Sequence, residues 1–397
     1  MYQQALRRDT EASVSWPGED VIPDLDVSVV MPCLNESESV ASCVRQARRW
    51  IERSGLRGEV LVVDNGSDDN SARLARNAGA RVVFEEERGY GAACIRGLQE
   101  ARGNYVILGD ADGTYDFDEL GPIYDLLESD SEIVLGNRLA GGLERGAMPF
   151  LHRTIGTPII TFLLRLFSGS RVGDSQCGLR GIRKDAFLQL GLKATGMEFA
   201  SEMLLKAVRH NLRIAEVPIT YRCRAGESKL NTFRDGWRHL RLLLLASPTY
   251  AFVVPAVVFL ILGLFSLEVT VFQGDGITIG SLHWQPVFAG TIFLAVGTNA
   301  ALLGLVSKLF ATGDAHRVED WLVRAYRRYL GFEGLLLVGV ALVALGLAVD
   351  ALITVRWLLA PSLPEMLRLA AVGQSLLIIG GNLAFGSVAV ALIDNGE

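Results

Sequence analysis

The first half of the chain alternates short apolar runs with longer segments of mixed polarity. The apolar runs read VSVVM, EVLVVD, RVVF, YVILGD and EIVLGN and begin at positions 27, 59, 81, 105 and 132. Runs of this length are typical of strands buried on both faces, and the segments between them have the length of helices. This alternation predicts a doubly wound, mostly parallel, Rossmann-like α/β sheet over residues 26–227, after a flexible tail over residues 1–25.

The second half contains four long runs that are almost free of charge. About 20 apolar residues span the hydrocarbon core of a bilayer, so these runs predict a transmembrane domain of four helices over residues 248–397. A basic and aromatic segment, residues 228–247, is predicted to form an amphipathic juxtamembrane helix before the first span. The four spans cover about residues 249–271, 285–308, 334–355 and 369–393.

Basic residues are distributed unevenly among the segments that flank the spans. Residues 220–248 carry six Lys or Arg and residues 308–333 carry five, whereas residues 272–283 carry none. The four spans predict an integral protein of a bacterial or archaeal plasma membrane, or an equivalent membrane, and the positive-inside rule predicts its orientation. Its sheet domain and both termini would face the cytoplasm. For the basic and aromatic segments two interpretations remain open, ordinary membrane flanks or specific contacts with anionic lipid.

Composition and charge narrow the class of protein further. Half of the 397 residues are hydrophobic, mean hydropathy is +0.30, and 65 of the 82 charged residues lie in the first 247 positions. A net charge of −6 argues against a nucleic-acid partner, because phosphate contacts require a basic surface. The five cysteines are scattered without metal-ligand spacing, which argues against a zinc site or a disulfide framework.

Carboxylates stand where predicted strands end. Asp110 and Asp112, in GDADGTYDF, follow the fourth apolar run, and Asp64 ends the second. The carboxyl ends of parallel strands lie at one edge of the sheet. A carboxylate pair at that edge can bind Mg²⁺ or Mn²⁺ that bridges a diphosphate, and a further acid can accept hydrogen bonds from a ribose or a base. Asp64 could instead be a turn residue. The first run ends in MPCLNE, in which Pro32, Asn35 and Glu36 begin a loop.

Taken together, these motifs resemble glycosyltransferase family 2, whose catalytic domain has the GT-A fold. Within that family the resemblance is to polyprenyl-phosphate sugar synthases of the dolichol-phosphate mannose and glucose synthase type. It covers about residues 27–245. The motifs that carry it are MPCLNE, VVDNGSDDN, RGYGAA, GDADGTYDF, LGNRLAGG, HRTIGT, DSQCGLRGIRKDAF, GMEFASEML and VPITYRCRAGESKL.

The resemblance implies a role for particular residues. Asp110 and Asp112 would hold Mg²⁺ or Mn²⁺ and, with Arg138 and Arg153, would form the catalytic group. The implied nucleotide-sugar site comprises Pro32, Asn35, Glu36, Asp64, Gly91, Asp110 and Asp112. The implied acceptor-phosphate site comprises Arg138, Arg153, Thr157, Arg224, Ser228 and Lys229.

Two points of this assignment stay open. Glu198 and Glu202, one helical turn apart, would either orient the acceptor or anchor a loop. Relatives often carry a Gln two residues after the second Asp as a further metal ligand, whereas this chain has Thr114. A hydroxyl, a water or Asp116 could take that place.

The predicted activity is that of an inverting hexosyltransferase of the EC 2.4.1 class. It would move a sugar, from UDP-glucose or a related UDP-hexose, to a polyprenyl or dolichyl phosphate on the cytoplasmic leaflet. The alternatives are a mannose synthase that uses GDP-mannose, a processive polysaccharide synthase, and an inactive scaffold. The polysaccharide synthase is disfavoured because its Q-x-x-R-W motif is absent, the nearest stretch being DGWRH. Homo-oligomerisation through the transmembrane helices is also left open.

Overall fold

The computed structural model describes residues 25–149, 152–226, 232–273, 277–279, 282–284, 286, 288–312, 320–359 and 363–394. The predicted tail, apart from its last residue, and two predicted site residues, Ser228 and Lys229, lie outside the described residues. The chain divides into two compact units, Met1–Leu243 and Leu244–Glu397.

A seven-stranded sheet forms the centre of the first unit. Its strands are β1 Leu25–Cys33, β2 Gly58–Asp64, β3 Arg81–Phe84, β4 Gly103–Leu108, β5 Ile133–Asn137, β6 Arg180–Arg183 and β7 Ile214–Pro218. Their order is β3-β2-β1-β4-β6-β5-β7, and every pair is parallel except those that β6 makes with β4 and β5. The predicted α/β fold is confirmed, and the sheet is mostly parallel.

Helices connect the strands and cover the sheet. They are α1 Val40–Ser54, α2 Ser71–Asn77, α3 Tyr90–Glu100, α4 Gly121–Ser129, α5 Thr157–Ser168, α6 Lys184–Leu190, α7 Phe199–Arg209 and α8 Thr232–Ala246. The central strands β1 and β2 are buried except for their first two residues, and the second half of β4 is buried as well. Burial on both faces of the sheet explains why these strands appear in the sequence as continuous apolar runs.

The register places the predicted site residues side by side. In the parallel ladder between β1 and β2, Pro32 lies opposite Val63 and Cys33 lies opposite Asp64. Strand β4 ends at Leu108, so Asp110 follows at the same edge of the sheet. The loops after three adjacent strands therefore meet at one edge, as the sequence predicts.

Helix α8 has one buried face and one exposed face. His239 and Leu243 are buried, whereas Trp237 and Leu245 are 61% and 73% exposed. Arg234 and Arg241 are exposed along the same stripe. The outer face of this helix is therefore a mixed basic and apolar surface, as expected for a segment at a membrane interface.

The second unit is mainly helical. It contains α9 Val254–Phe272, α10 Ala289–Thr312, α11 Trp321–Ala325, α12 Gly331–Leu359 and α13 Leu363–Asp394, with a short hairpin of β8 Ile277–Ile279 and β9 Leu282–Trp284. Four helical segments are long and apolar enough to cross a membrane: Thr249–Phe272, Ala289–Phe310, Trp321–Leu359 and Met366–Asp394. The prediction of four transmembrane helices is confirmed.

Candidate active site

The loops after β1 and β2 are joined by hydrogen bonds that fix the acidic residues of this edge. Asn35, at a φ of 51°, accepts a bond from the Asp68 amide at 2.8 Å and donates its own amide to Ser67 Oγ at 2.9 Å. The Glu36 amide donates to Ser71 Oγ at 2.8 Å. The left-handed backbone suits asparagine better than most residues. Glu36 and Asn35 are therefore held close to Asp64.

Asp64 has an acceptor atom with no partner. One carboxylate oxygen accepts the Ser67 amide at 3.2 Å, while Oδ1 is buried and has no hydrogen bond among the described residues. The residue is 3% exposed. An unsatisfied buried acceptor is costly, so this oxygen is well suited to a donor group of a ligand, such as a base N–H or a ribose hydroxyl.

Asp110 is the most perturbed carboxyl of the site. Burial and then the adjacent charge of Asp112 raise its pKa to about 7, although a hydrogen bond with Tyr90 opposes that rise. Its Oδ1 has no hydrogen-bond partner in the described part of the chain. A Cβ at Gly178 would lie 2.5 Å from Asp110 Oδ2, so only glycine allows the 177–179 loop to pass this close. Two neighbouring acids whose negative charges repel each other form a site that favours a cation.

Asp112 is held by its own loop and by a distant arginine. Its Oδ1 accepts the amide and the hydroxyl of Thr114, at 3.1 and 2.6 Å. Its Oδ2 lies 3.4 Å from Arg224 Nη1, and the same guanidinium donates to Glu36. Arg224 therefore joins a residue of the β1 loop to a residue of the β4 loop.

The segment that carries Arg224 lies along the 112–116 loop. We call residues 221–225 the strap. The Arg222 amide donates to the Thr114 carbonyl at 2.9 Å, and the Ala225 amide donates to the Asp112 carbonyl at 3.0 Å. The Arg222 guanidinium also pairs with Asp116. Both candidates for a substitute metal ligand, Thr114 and Asp116, thus already have protein partners.

Arg138 is buried in an ion pair. Its Nε and Nη2 donate to the two oxygens of Asp174 at 2.7 and 2.9 Å, and its guanidinium lies 5.3 Å from the centre of the Tyr221 ring. Burial opposes the charged form of Asp174, but the bonds from Arg138 outweigh it and hold the pKa of Asp174 below its ordinary value. Arg138 therefore supports the strap through Tyr221 and keeps one donor nitrogen, Nη1, outside this pair.

The other predicted acceptor residues lie at the start of α5. Arg153 is exposed on the π-helical turn His152–Gly156, and Thr157 is buried at the first position of α5. Thr161 Oγ1 lies 2.9 Å from Ser175 Oγ, one residue after Asp174. Helix α5 is thereby fixed to the loop that holds Arg138.

The two acids of α7 have different surroundings. Glu202 accepts the amides of Lys193 and Ala194, both at 2.9 Å or less, and pairs with Lys206 at 2.9 Å, so it anchors the preceding loop. Glu198 Oε2 is buried without a hydrogen bond among the described residues. A Cβ at Gly91 would lie 2.1 Å from the Ala194 carbonyl oxygen, so Gly91 allows α3 to approach that same loop.

Comparison with known proteins identifies the family. Residues 28–191 match the profile described as glycosyl transferase family 2, and residues 305–394 match the glycosyltransferase family 2 C-terminal transmembrane region. The low-salt glycan biosynthesis hexosyltransferase Agl6 of Haloferax volcanii is 33% identical over 372 residues, 93% of this chain and 88% of that protein. The chain belongs to glycosyltransferase family 2. The predicted family, enzyme class and GT-A fold with a membrane domain are confirmed, and the glycosyltransferase is an integral membrane protein.

Further relatives match about half of the chain. A dolichyl-phosphate hexose transferase of Haloferax volcanii is 34% identical over 53% of this chain and 89% of that protein. The dolichol-phosphate mannosyltransferase of Pyrococcus furiosus is 27% identical over 55% of this chain and 64% of that protein. The crystal structure of glucosyl-3-phosphoglycerate synthase from Mycobacterium tuberculosis with Mn²⁺, UDP and its product matches with a TM-score of 0.44 and 21% identity, over 56% of this chain and 78% of that one.

Several contributors to the site had no role assigned from the sequence. Tyr90 and Asp174 stand inside the quoted motifs RGYGAA and DSQCGLRG, but nothing in those motifs shows which partner each has. Arg222 and Tyr221 stand inside the quoted motif VPITYRCRAGESKL, which likewise does not show their partners. Their contacts with Asp116 and Arg138 join residues far apart in the chain, which a single sequence does not reveal.

Proposed function

We propose that this glycosyltransferase moves one hexose from a nucleoside diphosphate sugar to dolichyl or polyprenyl phosphate, with inversion at the anomeric carbon. The observation that carries the proposal is the group of strand-end carboxylates, Asp64, Asp110 and Asp112, two of which have a buried oxygen without a partner among the described residues. The names of the relatives that act on dolichyl phosphate support the acceptor. UDP-glucose or a related UDP-hexose is the proposed donor.

The residues present fit a divalent cation. Asp110 and Asp112 are hard oxygen ligands, and the unpartnered Oδ1 of Asp110 is available for coordination. No group of three or more His, Cys, Asp and Glu suited to a metal occurs among the described residues, which is consistent with the diphosphate and water completing the shell. When bound, Mg²⁺ or Mn²⁺ would supply positive charge that stabilises the departing diphosphate.

The protein's own residues would orient the donor. Asp64 Oδ1, which is buried without a hydrogen bond among the described residues, and the Glu36 carboxylate are proposed to accept bonds from the nucleoside, because they lie at the ends of β1 and β2. Glu36 is now paired with Arg224, so the donor must exchange with this guanidinium or bind beside it. Pro32 and Asn35 are proposed to shape the floor of the nucleotide site.

The acceptor arrives with its nucleophile already formed. A phosphate monoester is largely dianionic at neutral pH because its second pKa is about 6, so one of its oxygens can attack the anomeric carbon without a general base. Arg153, which is exposed, and Nη1 of Arg138 are proposed to bind that phosphate, together with Thr157. Arginine suits this role because its planar fork binds two phosphate oxygens and keeps its charge. Ser228 and Lys229 remain proposed acceptor residues.

The position of the reaction follows from the distribution of basic residues. We propose that residues 26–227 form the catalytic domain on the cytoplasmic side, that residues 228–247 lie at the interface, and that both termini are inside. The sugar would then be attached on the cytoplasmic leaflet. External labelling of a single cysteine at Gly276, but not at Ala315, would agree with this orientation.

The decisive experiment is a transfer assay with the full chain in detergent. Radiolabelled UDP-glucose, UDP-galactose, UDP-N-acetylglucosamine and GDP-mannose are each incubated with polyprenyl phosphate and MgCl₂ or MnCl₂. We expect one donor to give a lipid that carries a single labelled hexose. A labelled polymer would instead indicate a processive synthase, and the absence of any labelled lipid with all donors would refute the proposal.

A further inference from the structure

The helical unit contains a short basic segment with an unusual exposed face. We call residues 321–330 the arginine turn; it consists of α11 and the π-helical turn Tyr326–Leu330. Val323 and Tyr326 are buried in an apolar cluster with residues of α10, α12 and α13. The opposite face exposes two aromatic rings and three guanidinium groups, those of Trp321, Tyr329, Arg324, Arg327 and Arg328.

Ion pairs fix the arginine turn at both ends. Lys308 Nζ on α10 lies 2.6 Å from Asp320 Oδ2, and the other oxygen of Asp320 accepts the Leu322 amide at 2.8 Å. Arg327 Nε and Nη2 donate to Asp394 Oδ1 on α13, at 2.9 and 2.6 Å. The arginine turn is therefore held in one position against two membrane-length helices.

The charge of the exposed face is only partly compensated. Asp394 neutralises Arg327, whereas Arg324 and Arg328 form no ion pair within the described parts of the chain. Together with Trp321 and Tyr329 they line a shallow cleft of about 540 Å³. Two unpaired guanidiniums give this cleft a local charge of about +2, which matches a phosphate monoester at neutral pH better than a singly charged phosphodiester.

The length of the following helix places the cleft near the lipid headgroups. Helix α12, Gly331–Leu359, has 29 residues. At 1.5 Å per residue it is about 44 Å long, more than the roughly 30 Å of the hydrocarbon core. The ten residues of the arginine turn precede it and thus lie outside the core. Exposed tryptophan, tyrosine and arginine side chains are suited to that depth.

We propose that the arginine turn is a binding site for the phosphate monoester headgroup of a membrane lipid. Arg324 and Arg328 would bind the phosphate oxygens, and the rings of Trp321 and Tyr329 would lie against the first units of the lipid chain. The identity of this lipid as polyprenyl or dolichyl phosphate rests on the proposed function. The site belongs to the helical unit and is additional to the acceptor residues of the sheet domain.

Binding is measured on the full chain in detergent, without any sugar donor. Native mass spectrometry counts the molecules of undecaprenyl phosphate, undecaprenol and phosphatidylglycerol that the protein retains. We expect the monoester to be retained most strongly. The Arg324→Gln/Arg328→Gln double variant should bind one equivalent of undecaprenyl phosphate more weakly, by about tenfold for each arginine removed. Arg356→Gln, which changes an exposed arginine near the other end of α12, is the matched control and should retain as much undecaprenyl phosphate as the unmodified protein.

Further variants and comparisons decide among the alternatives. Arg324→Lys/Arg328→Lys keeps the charge and removes the forks, so it should restore part of the affinity. An unchanged lipid count in the Gln variant would overturn the proposal, as would equal retention of phosphatidylglycerol and undecaprenyl phosphate by the unmodified protein. The comparison of the two lipids uses only the unmodified protein, so it does not depend on whether a variant folds. If the protein binds the monoester but transfers no sugar, the proposed function is refuted and this site is not. If it transfers sugar but the Gln variant binds the monoester as the unmodified protein does, this site is refuted and the proposed function is not.

Discussion

Replacing Asp174 by alanine should destabilise the first unit strongly, because Asp174 is the counter-charge of a buried arginine. The Asp174 side chain is 0% exposed and that of Arg138 is 9% exposed. Asp174 accepts two bonds from the guanidinium, at 2.7 and 2.9 Å, and the amides of Arg138 and Gln176, both at 3.2 Å. Removing one partner of a buried pair leaves an uncompensated charge, which costs about 3–5 kcal/mol of the free energy of unfolding.

For a unit of this size, 1 kcal/mol lowers the melting temperature by about 2–4 °C, so the expected decrease is roughly 6–20 °C. Thermal unfolding of the full chain in detergent, followed by tryptophan fluorescence, measures it. Sugar transfer should fall in the same variant even at low temperature, because Arg138 lies against Tyr221 of the strap.

The matched control breaks an exposed ion pair of the same sheet domain. Asp118 pairs with Arg49 and Arg53, whose side chains are 54% and 62% exposed. Exposed pairs contribute about 0–1 kcal/mol, so Asp118→Ala should leave the melting temperature within a few degrees of the unmodified protein. If Asp174→Ala behaved like Asp118→Ala, the buried pair would not be a main support of this unit.

Three further outcomes are expected. Asp112→Ala should abolish transfer, as should EDTA, and undiminished turnover in either case would remove the cation from the proposed site. Arg224→Ala should weaken UDP binding in metal-free calorimetry about fivefold or more, because it removes the positive charge that lies between Glu36 and Asp112; unchanged or tighter binding would mean that this guanidinium only blocks the donor. Burial lowers the pKa of His239 to about 4, so this residue should contribute about 3 kcal/mol of stability above pH 6.5 that is lost as the pH falls from 6.5 to 4. His239→Gln should flatten that pH dependence of the melting temperature, whereas the exposed His210→Gln should not.

The sequence predicts the strand ends of the site well because apolar runs and acidic residues stand next to each other there. Each of β1 to β5 is an apolar run, and the carboxylates of the site follow β2 and β4 directly. Strand β6 is missed because RGIR is half basic. Its Arg180 is buried, and its guanidinium donates to the carbonyls of Cys177, Ala200 and Ser175 instead of to solvent. A buried arginine satisfied by backbone oxygens leaves no apolar pattern in the sequence.

The acids that pair with the arginines of the site could not be predicted from the sequence alone. Arg138 and Asp174 are 36 positions apart, and Arg224 and Glu36 are 188 positions apart. The family resemblance implies that arginines lie near a phosphate, but any of several acids could pair with each of them. The role of Glu202 could not be predicted either, because the sequence leaves two roles open. In the structure Glu202 accepts the loop amides of Lys193 and Ala194 and so anchors that loop.

The charges at the sheet edge constrain how a donor can enter. Glu36, Asp64, Asp110 and Asp112 converge there, and Arg224 is placed between the first and the last of them. A nucleoside diphosphate would add further negative charge to a group in which burial and repulsion already raise the pKa of Asp110 to about 7. Electrostatics therefore requires that positive charge enter with the diphosphate or be retained from Arg224. Since one guanidinium cannot pair with Glu36 and Asp112 and also compensate a diphosphate, the strap must move when the donor binds, or a cation must accompany the donor.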